Sequence, residues 1–148
     1  MAEKDTPRIG ILGGGGILGA HAPWLKKYSN MARVVAVAEP RPDMASRIRG
    51  FFGDGIHLYR DYSELLSNET LDAVDILLPH HLHMPAAVAA AQHGCHILVE
   101  KAMARNVYEC DRMIEACEKA GVSLTVCHDR RYHGEWMALK TIVDSGAL

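Results

Sequence analysis

The sequence lacks an apolar run long enough to span a membrane, and its polar start, residues 1–5, has no apolar signal core. It also lacks an excess of charge of one sign. The formal net charge is -2, and acidic and basic residues are mixed along the chain without blocks. These absences argue against a membrane partner and against nucleic acid, so we expect a cytoplasmic protein.

Cysteine is scarce and shows no Cys-x-x-Cys spacing; the four cysteines are Cys95, Cys110, Cys117 and Cys127. This pattern predicts reduced thiols in the core of a cytosolic protein. The 148 residues are 49% apolar, which suits one domain that buries its own core without a disulfide or a structural metal. We find no internal linker, low-complexity segment or solenoid-length repeat.

Short apolar runs alternate with helical patterns about six times along the chain. The predicted strands lie at residues 8–12, 34–38, 56–59, 73–78, 96–99 and 122–126. The predicted helices lie at residues 17–29, 42–52, 61–66, 86–93, 106–120 and 135–144. Pro23 predicts a kink or a late start of the first helix. The alternation predicts a single-domain α/β protein with a doubly wound, mostly parallel sheet of the Rossmann type.

Four consecutive glycines, residues 13–16, follow the first apolar run and precede a helical pattern. A strand that turns through glycine into a helix can bind a pyrophosphate, because helix N–H groups attract the anion and missing side chains let it approach. The alternative is a flexible turn without a ligand. The spacing Gly14-x-Gly16-x-x-Gly19 fits the dinucleotide motif literally. We favour a start at Gly13 instead, because the tight turn should follow the strand directly, which leaves Leu18 in place of the third glycine.

Glu39 follows the second predicted strand, 24 residues after Gly15. An acidic residue at about this distance accepts hydrogen bonds from the adenosine ribose of NAD and repels the 2′-phosphate of NADP. Arg41 lies two residues further on and could pair with that phosphate, so NADP stays possible. The alternative is that Glu39 is only a solvated strand end.

Four segments together resemble the N-terminal domain of the Gfo/Idh/MocA oxidoreductases. They are residues 10–17 with His21, residues 35–40, residues 78–85 (Leu-Pro-His-His-Leu-His-Met-Pro) and residues 100–102 (Glu-Lys-Ala). They occur in the family's order and spacing over nearly the whole chain. Two positions depart from the family pattern: Ala102 replaces a proline, which leaves the peptide geometry there open, and His80 stands where asparagine is common.

The resemblance implies a role for each matching residue. The pyrophosphate would lie against Gly13, Gly15, Gly16 and Ile17, and the ribose against Glu39. The nicotinamide side would be lined by Leu78, Pro79, His80 and His83. Glu100 and Lys101 match a Glu-Lys-Pro motif whose lysine touches the nicotinamide ribose and the substrate oxygen. Lys101 is therefore the expected catalytic residue, since an ammonium stabilises negative charge that develops on an oxygen. The alternative is a surface lysine at a strand end.

The resemblance also implies a function for the whole protein. Residues 1–148 would be the NAD(P)-binding domain of an oxidoreductase that moves a hydride between nicotinamide and a sugar, polyol or related hydroxyl compound. A C-terminal substrate domain would be absent from this chain, and the full-length form would be a homo-oligomer. The chain alone should bind cofactor with little turnover. The alternative is a stand-alone module that senses a dinucleotide without catalysis.

The histidine-rich turn permits a different hypothesis, in which a metal ion is held by His80, His81 and His83, with His128 as a fourth ligand. Three side chains on one turn after a strand cannot all point the same way, and no nearby carboxylate completes the set. We therefore expect no metal at this turn.

Overall fold

The computed structural model describes residues 6–147, so the polar start at residues 1–5 lies outside the described part of the chain. Within it, six parallel strands form one sheet in the order β3-β2-β1-β4-β5-β6. The strands are β1 (Arg8–Leu12), β2 (Arg33–Ala38), β3 (His57–Tyr59), β4 (Ala73–Ile76), β5 (His96–Glu100) and β6 (Leu124–Cys127). The helices are α1 (Leu18–Lys27), α2 (Ala45–Phe52), α3 (Tyr62–Asn68), α4 (His83–Gln92), α5 (Val107–Ala120) and α6 (Gly134–Asp144). The predicted doubly wound α/β fold is confirmed.

The helices cover the sheet in two layers. One core cluster joins the sheet to α3, α4 and α5, and a second joins it to α1 and α2 through Leu18, Ala22 and Ile48. Helix α4 packs closely because its buried side chains beyond His83 are small: Ala86, Ala87, Ala90 and Ala91. No helix among residues 6–147 has both the length and the apolar content needed to cross a bilayer. The four cysteines are free, as predicted, but only Cys95 and Cys117 are buried in the core, whereas Cys110 and Cys127 are half-buried.

The register of the sheet brings the ends of separate strands together. Leu12 at the end of β1 pairs with Ala38 of β2 and with Ile76 of β4. Ile76 in turn pairs with Val99, one residue before the end of β5. Because all strands are parallel, the segments that follow them lie along one edge of the sheet, where α/β proteins bind ligands.

The starts of three helices differ from the prediction. Helix α2 begins at Ala45 instead of Pro42, because Pro42–Met44 form a 3-10 turn. Helix α1 begins at Leu18 and continues through Pro23, so the predicted late start is wrong. Helix α4 begins at His83 instead of Ala86. Pro85 is then in the first turn, where a missing N–H costs nothing because the helix has no acceptor for it.

Asp61 with Glu64 and Asn106 with Glu109 match the capping-box pattern at the starts of α3 and α5, and each box forms only in part. Asp61 accepts a hydrogen bond from the N–H of Ser63 at 2.7 Å instead of that of Glu64. Asn106 caps α5 by accepting from the N–H of Glu109 at 2.9 Å. The Glu109 carboxylate, however, accepts from the N–H and guanidinium of Arg105 and not from the N–H of Asn106. A guanidinium is the stronger donor, so it displaces the second half of the box.

Candidate functional site

The first glycine makes the tight turn at the end of β1. Gly13 has φ +105°, and its N–H donates to the carbonyl of Ala38 at 2.9 Å. A Cβ atom at Gly13 would lie 2.7 Å from the backbone oxygen of Leu77. The chain can therefore leave the sheet between β2 and β4 only with glycine at this position.

The next glycines leave open space before helix α1. A Cβ at Gly16 would meet no atom within 4 Å, and one at Gly15 would meet only the Arg41 guanidinium, at 3.5 Å. Ile17 lies at the N-cap of α1 and is 39% exposed. In the first turn of α1, the N–H groups of Leu18 and Gly19 donate to the carbonyls of Gly15 and Gly16 at 3.3 and 3.2 Å. The open space at Gly15 and Gly16, at the N-terminal end of the helix, fits the pyrophosphate of a dinucleotide.

Alanine substitutions should separate the structural glycine from the ligand-facing one. We expect Gly13→Ala to lower the free energy of unfolding by about 2 kcal/mol, because it combines a positive φ with a backbone clash. Gly16→Ala should leave stability within about 0.5 kcal/mol, since its Cβ points into open space. Urea unfolding of both variants measures this. Equal stability losses would contradict the assignment.

Glu39 is held in place at the end of β2. Its Oε2 accepts from the N–H of Gly14 at 2.9 Å, and its Oε1 accepts from the N–H and the Nε–H of Arg41 at 3.1 and 2.7 Å. Burial raises the pKa of Glu39, but the bonds from Arg41 and Gly14 outweigh this effect and lower its pKa overall. The carboxylate is ionised and faces the glycine turn. The Arg41 guanidinium covers the oxygens that a ribose would use.

His83 connects β4 to the turn after β5. Its side chain is fully buried, with Nε2 2.8 Å from the carbonyl of Leu78 and Nδ1 3.0 Å from that of Ala102. Its nitrogens therefore already face backbone carbonyls. His80 and Pro79 are exposed at the same edge, and His80 Nε2 lies 3.3 Å from the Lys101 carbonyl. The peptide between Lys101 and Ala102 is cis.

Lys101 follows β5 and points outward from the edge. Its side chain is 57% exposed, and its ammonium lies 3.6 Å from Oε2 of Glu100. The same oxygen accepts the N–H of Lys101 at 3.1 Å. The Glu100 carboxylate thus contacts both the backbone and the ammonium of Lys101, and the ammonium remains accessible to a ligand.

His21 is a residue of this edge whose contacts the sequence reasoning missed. Its Nδ1 lies 2.8 Å from Oδ2 of Asp75 and its Nε2 lies 3.1 Å from Oε1 of Glu100. The hydrogen bond to Asp75 is the main cause that raises the pKa of His21 to about 9. The sequence held one signal: Asp75 interrupts an apolar strand, and a buried carboxylate needs a cationic partner.

Cys127 at the end of β6 adjoins this histidine. The side-chain atoms of His21, Glu100 and Cys127 that could bind a metal ion lie within 4.8 Å of one another. Among residues 6–147, they form the one such cluster. It differs from the histidine turn considered above. Burial, followed by the charge of Glu100, raises the pKa of the Cys127 thiol to about 11. The thiol therefore stays protonated at neutral pH.

The predicted site residues lie at or after the ends of β1, β2, β4 and β5, so the fold brings them to one edge. Residues 7–128 match the family model of the Gfo/Idh/MocA oxidoreductase family, NAD-binding Rossmann fold. The chain belongs to this family. The expected oxidoreductase family and its NAD cofactor are confirmed.

Known members of the Gfo/Idh/MocA family resemble the chain over most of its length. It is 31% identical to myo-inositol 2-dehydrogenase of Thermotoga maritima, over 95% of this chain and 42% of that protein. It is 33% identical to inositol 2-dehydrogenase of Streptomyces avermitilis, over 95% of this chain and 41% of that protein. The WlbA dehydrogenase of Bordetella pertussis, solved with NADH and UDP-GlcNAcA, has a TM-score of 0.87 and 27% identity, covering 95% of this chain and 42% of that one. The chain thus spans less than half the length of these relatives.

Proposed function

We propose that this chain is the cofactor-binding part of an oxidoreductase that transfers a hydride between a nicotinamide cofactor and a sugar, polyol or related hydroxyl compound. The observation that carries the proposal is the arrangement at the carboxyl edge. The open glycine turn lies between an ionised Glu39 on one side and the outward-pointing Lys101 on the other. These are the groups that a dinucleotide and a hydroxyl substrate require. The inositol dehydrogenases among the relatives support the substrate class.

The proposed cofactor contacts follow the order of the strands. The N–H groups at Gly15, Gly16 and Ile17 receive the pyrophosphate, while Gly13 forms the turn behind them. Glu39 accepts the adenosine ribose hydroxyls once Arg41 moves aside. Leu78, Pro79 and His80 lie beside the nicotinamide end, and His83 keeps the β4 segment against the Lys101–Met103 turn from behind.

Lys101 is the proposed catalytic residue. The nicotinamide ring, when bound, supplies or accepts the hydride. The exposed ammonium of Lys101 would donate a hydrogen bond to the substrate oxygen and stabilise the negative charge that develops on it as the hydroxyl gives up its proton to solvent or to a group of the second domain. Glu100 holds the base of the lysine and its backbone N–H in place.

We further propose that a second domain completes the substrate pocket, and that the full protein is a cytoplasmic homo-oligomer. Apolar side chains of α6 support a covering partner, because Trp136, Leu139 and Ile142 are 44 to 46% exposed. An apolar face of this kind is typical of an interaction surface.

Calorimetric titration of the chain with NAD and with NADP tests the proposal and the role of Arg41. We expect NAD to bind, and Glu39→Gln to weaken NAD binding about tenfold through the lost ribose acceptor. Arg41→Ala should weaken NADP binding about tenfold and leave NAD binding unchanged or tighter, because it removes a phosphate partner and frees Glu39. Arg49→Ala, on α2 and bonded to the Asp54 carbonyl, is the control. If neither nucleotide binds, the proposed function is wrong.

A further inference from the structure

His21 lies between two carboxylates that come from different strands. Asp75 belongs to β4 and Glu100 ends β5, whereas His21 belongs to α1. The side chains of His21, Asp75 and Glu100 are only 12, 3 and 11% exposed. A carboxylate can only accept, so both ring nitrogens must carry a proton to satisfy both contacts. The arrangement therefore contains an imidazolium that links a helix to two strands.

Glu100 extends this link to the edge of the sheet. Its Oε1 faces Nε2 of His21 at 3.1 Å, and its Oε2 accepts the N–H of Lys101 at 3.1 Å. Since His21 holds one oxygen, the carboxylate cannot rotate freely, and the other oxygen stays directed at Lys101. The contacts form a continuous series from Asp75 through His21 and Glu100 to Lys101.

The two oxygens of Glu100 contact different cations at different distances. The Lys101 ammonium lies 3.6 Å from Oε2, beyond hydrogen-bond distance, while the imidazolium lies at hydrogen-bond distance from Oε1. Without the imidazolium, Lys101 would be the cation nearest to Glu100 and would pair with it closely. A lysine paired in this way would be less available to a substrate oxygen.

We propose that His21 is a positioning residue for Lys101, acting through Glu100: it fixes the carboxylate and keeps it from capturing the lysine ammonium. This inference rests on the proposed role of Lys101 at the substrate oxygen. The role assigned to His21 needs no contact with the substrate or the cofactor. Its effect is on where the ammonium of Lys101 lies and how freely it reacts.

The test measures the rate at which a lysine-acylating reagent labels Lys101 in the 148-residue chain, by peptide mass spectrometry. The exposed Lys119 on α5 is the internal reference. We expect His21→Gln to slow the labelling of Lys101 relative to Lys119 about threefold, through closer pairing with Glu100. Glu100→Gln should speed it, because the carboxylate is lost. In the Glu100→Gln background, His21→Gln should have no further effect.

A pH series on the unsubstituted chain tests the same inference without a variant. The titratable groups that line the same cavity as His21 are Tyr28 just after α1, Asp75 of β4, Glu100 and Lys101 at β5, Cys127 at β6, and Asp129, Tyr132 and His133 beyond it. As His21 loses its proton near pH 9, the labelling ratio of Lys101 to Lys119 should fall, and it should stay low throughout in His21→Gln. EDTA in all samples excludes metal bound at Cys127.

The inference is supported if His21→Gln slows the labelling of Lys101 and Glu100→Gln speeds it. It also requires that His21→Gln has no further effect in the Glu100→Gln background. A purely structural role would speed the labelling of Lys101 in both variants by loosening the edge, and that result would overturn the inference. His93→Gln is the control, since His93 is exposed at the end of α4 and bonded to the Ala89 carbonyl, and it should leave the labelling ratio unchanged. The labelling needs no cofactor, so it can fail while nucleotide titration succeeds, which separates this inference from the proposed function.

Discussion

Replacing His21 with glutamine is expected to destabilise the protein below neutral pH and to matter much less at pH 9. The pKa of His21 is raised from 6.5 to about 9, so its protonated form stabilises the folded state fully below pH 6.5. This contribution is lost as the pH rises through the folded pKa. The difference in free energy of unfolding between the two proteins should therefore shrink by up to about 3 kcal/mol over this range, because a tenfold change in proton affinity corresponds to about 1.4 kcal/mol.

Urea unfolding at pH 6, 7, 8 and 9 measures the effect of His21. His81→Gln is the matched control, because it is the same substitution at a histidine that is exposed on the turn after β4. Its stability should follow that of the unsubstituted chain at every pH. A constant difference between His21→Gln and the unsubstituted protein would contradict a protonated histidine between Asp75 and Glu100.

Replacing Lys101 with alanine is expected to reduce turnover by about a hundredfold or more in a protein where this chain is joined to its substrate domain. Loss of one group that stabilises charge on an oxygen typically costs this much, since the interaction is made mainly in the transition state. The affinity for NAD should change much less than the turnover, because the pyrophosphate and adenosine ribose contacts lie on the other strands. Steady-state kinetics with an inositol as substrate, together with NAD titration, separates the two effects.

Lys119→Ala is the control for Lys101→Ala, because Lys119 is exposed near the end of α5, away from the edge. It should leave both turnover and NAD affinity unchanged. Lys101→Arg keeps the positive charge and should retain part of the activity. If Lys101→Ala turns over as fast as the unsubstituted enzyme, Lys101 has no catalytic role. For the chain alone, rapid NAD-linked oxidation would contradict the proposed need for a second domain.

Much of the fold could be predicted because it depends on local patterns. The apolar run at residues 34–38 and the glycines at residues 13–16 specify a strand and a turn through their own side chains and backbone freedom. Helix starts were harder to predict. Pro23 left a kink or a late start open, and the fourth helix was predicted to begin after Pro85, yet α1 and α4 begin before these prolines. The free-energy cost of a proline in a helix depends on whether a carbonyl one turn earlier would need its missing N–H. The sequence does not show where that turn begins.

The sequence by itself determined the order of strands and helices, the glycine turn at Gly13 and the edge on which Glu39 and Lys101 lie, because parallel strands separated by helices must end on the same side. Only the tertiary structure decided the contacts of His21 with Asp75 and Glu100, which are 54 and 79 residues away. Such contacts depend on strand register and on how α1 packs across the sheet. Neither is encoded in a local pattern, so the charge that His21 carries emerges only in the folded chain.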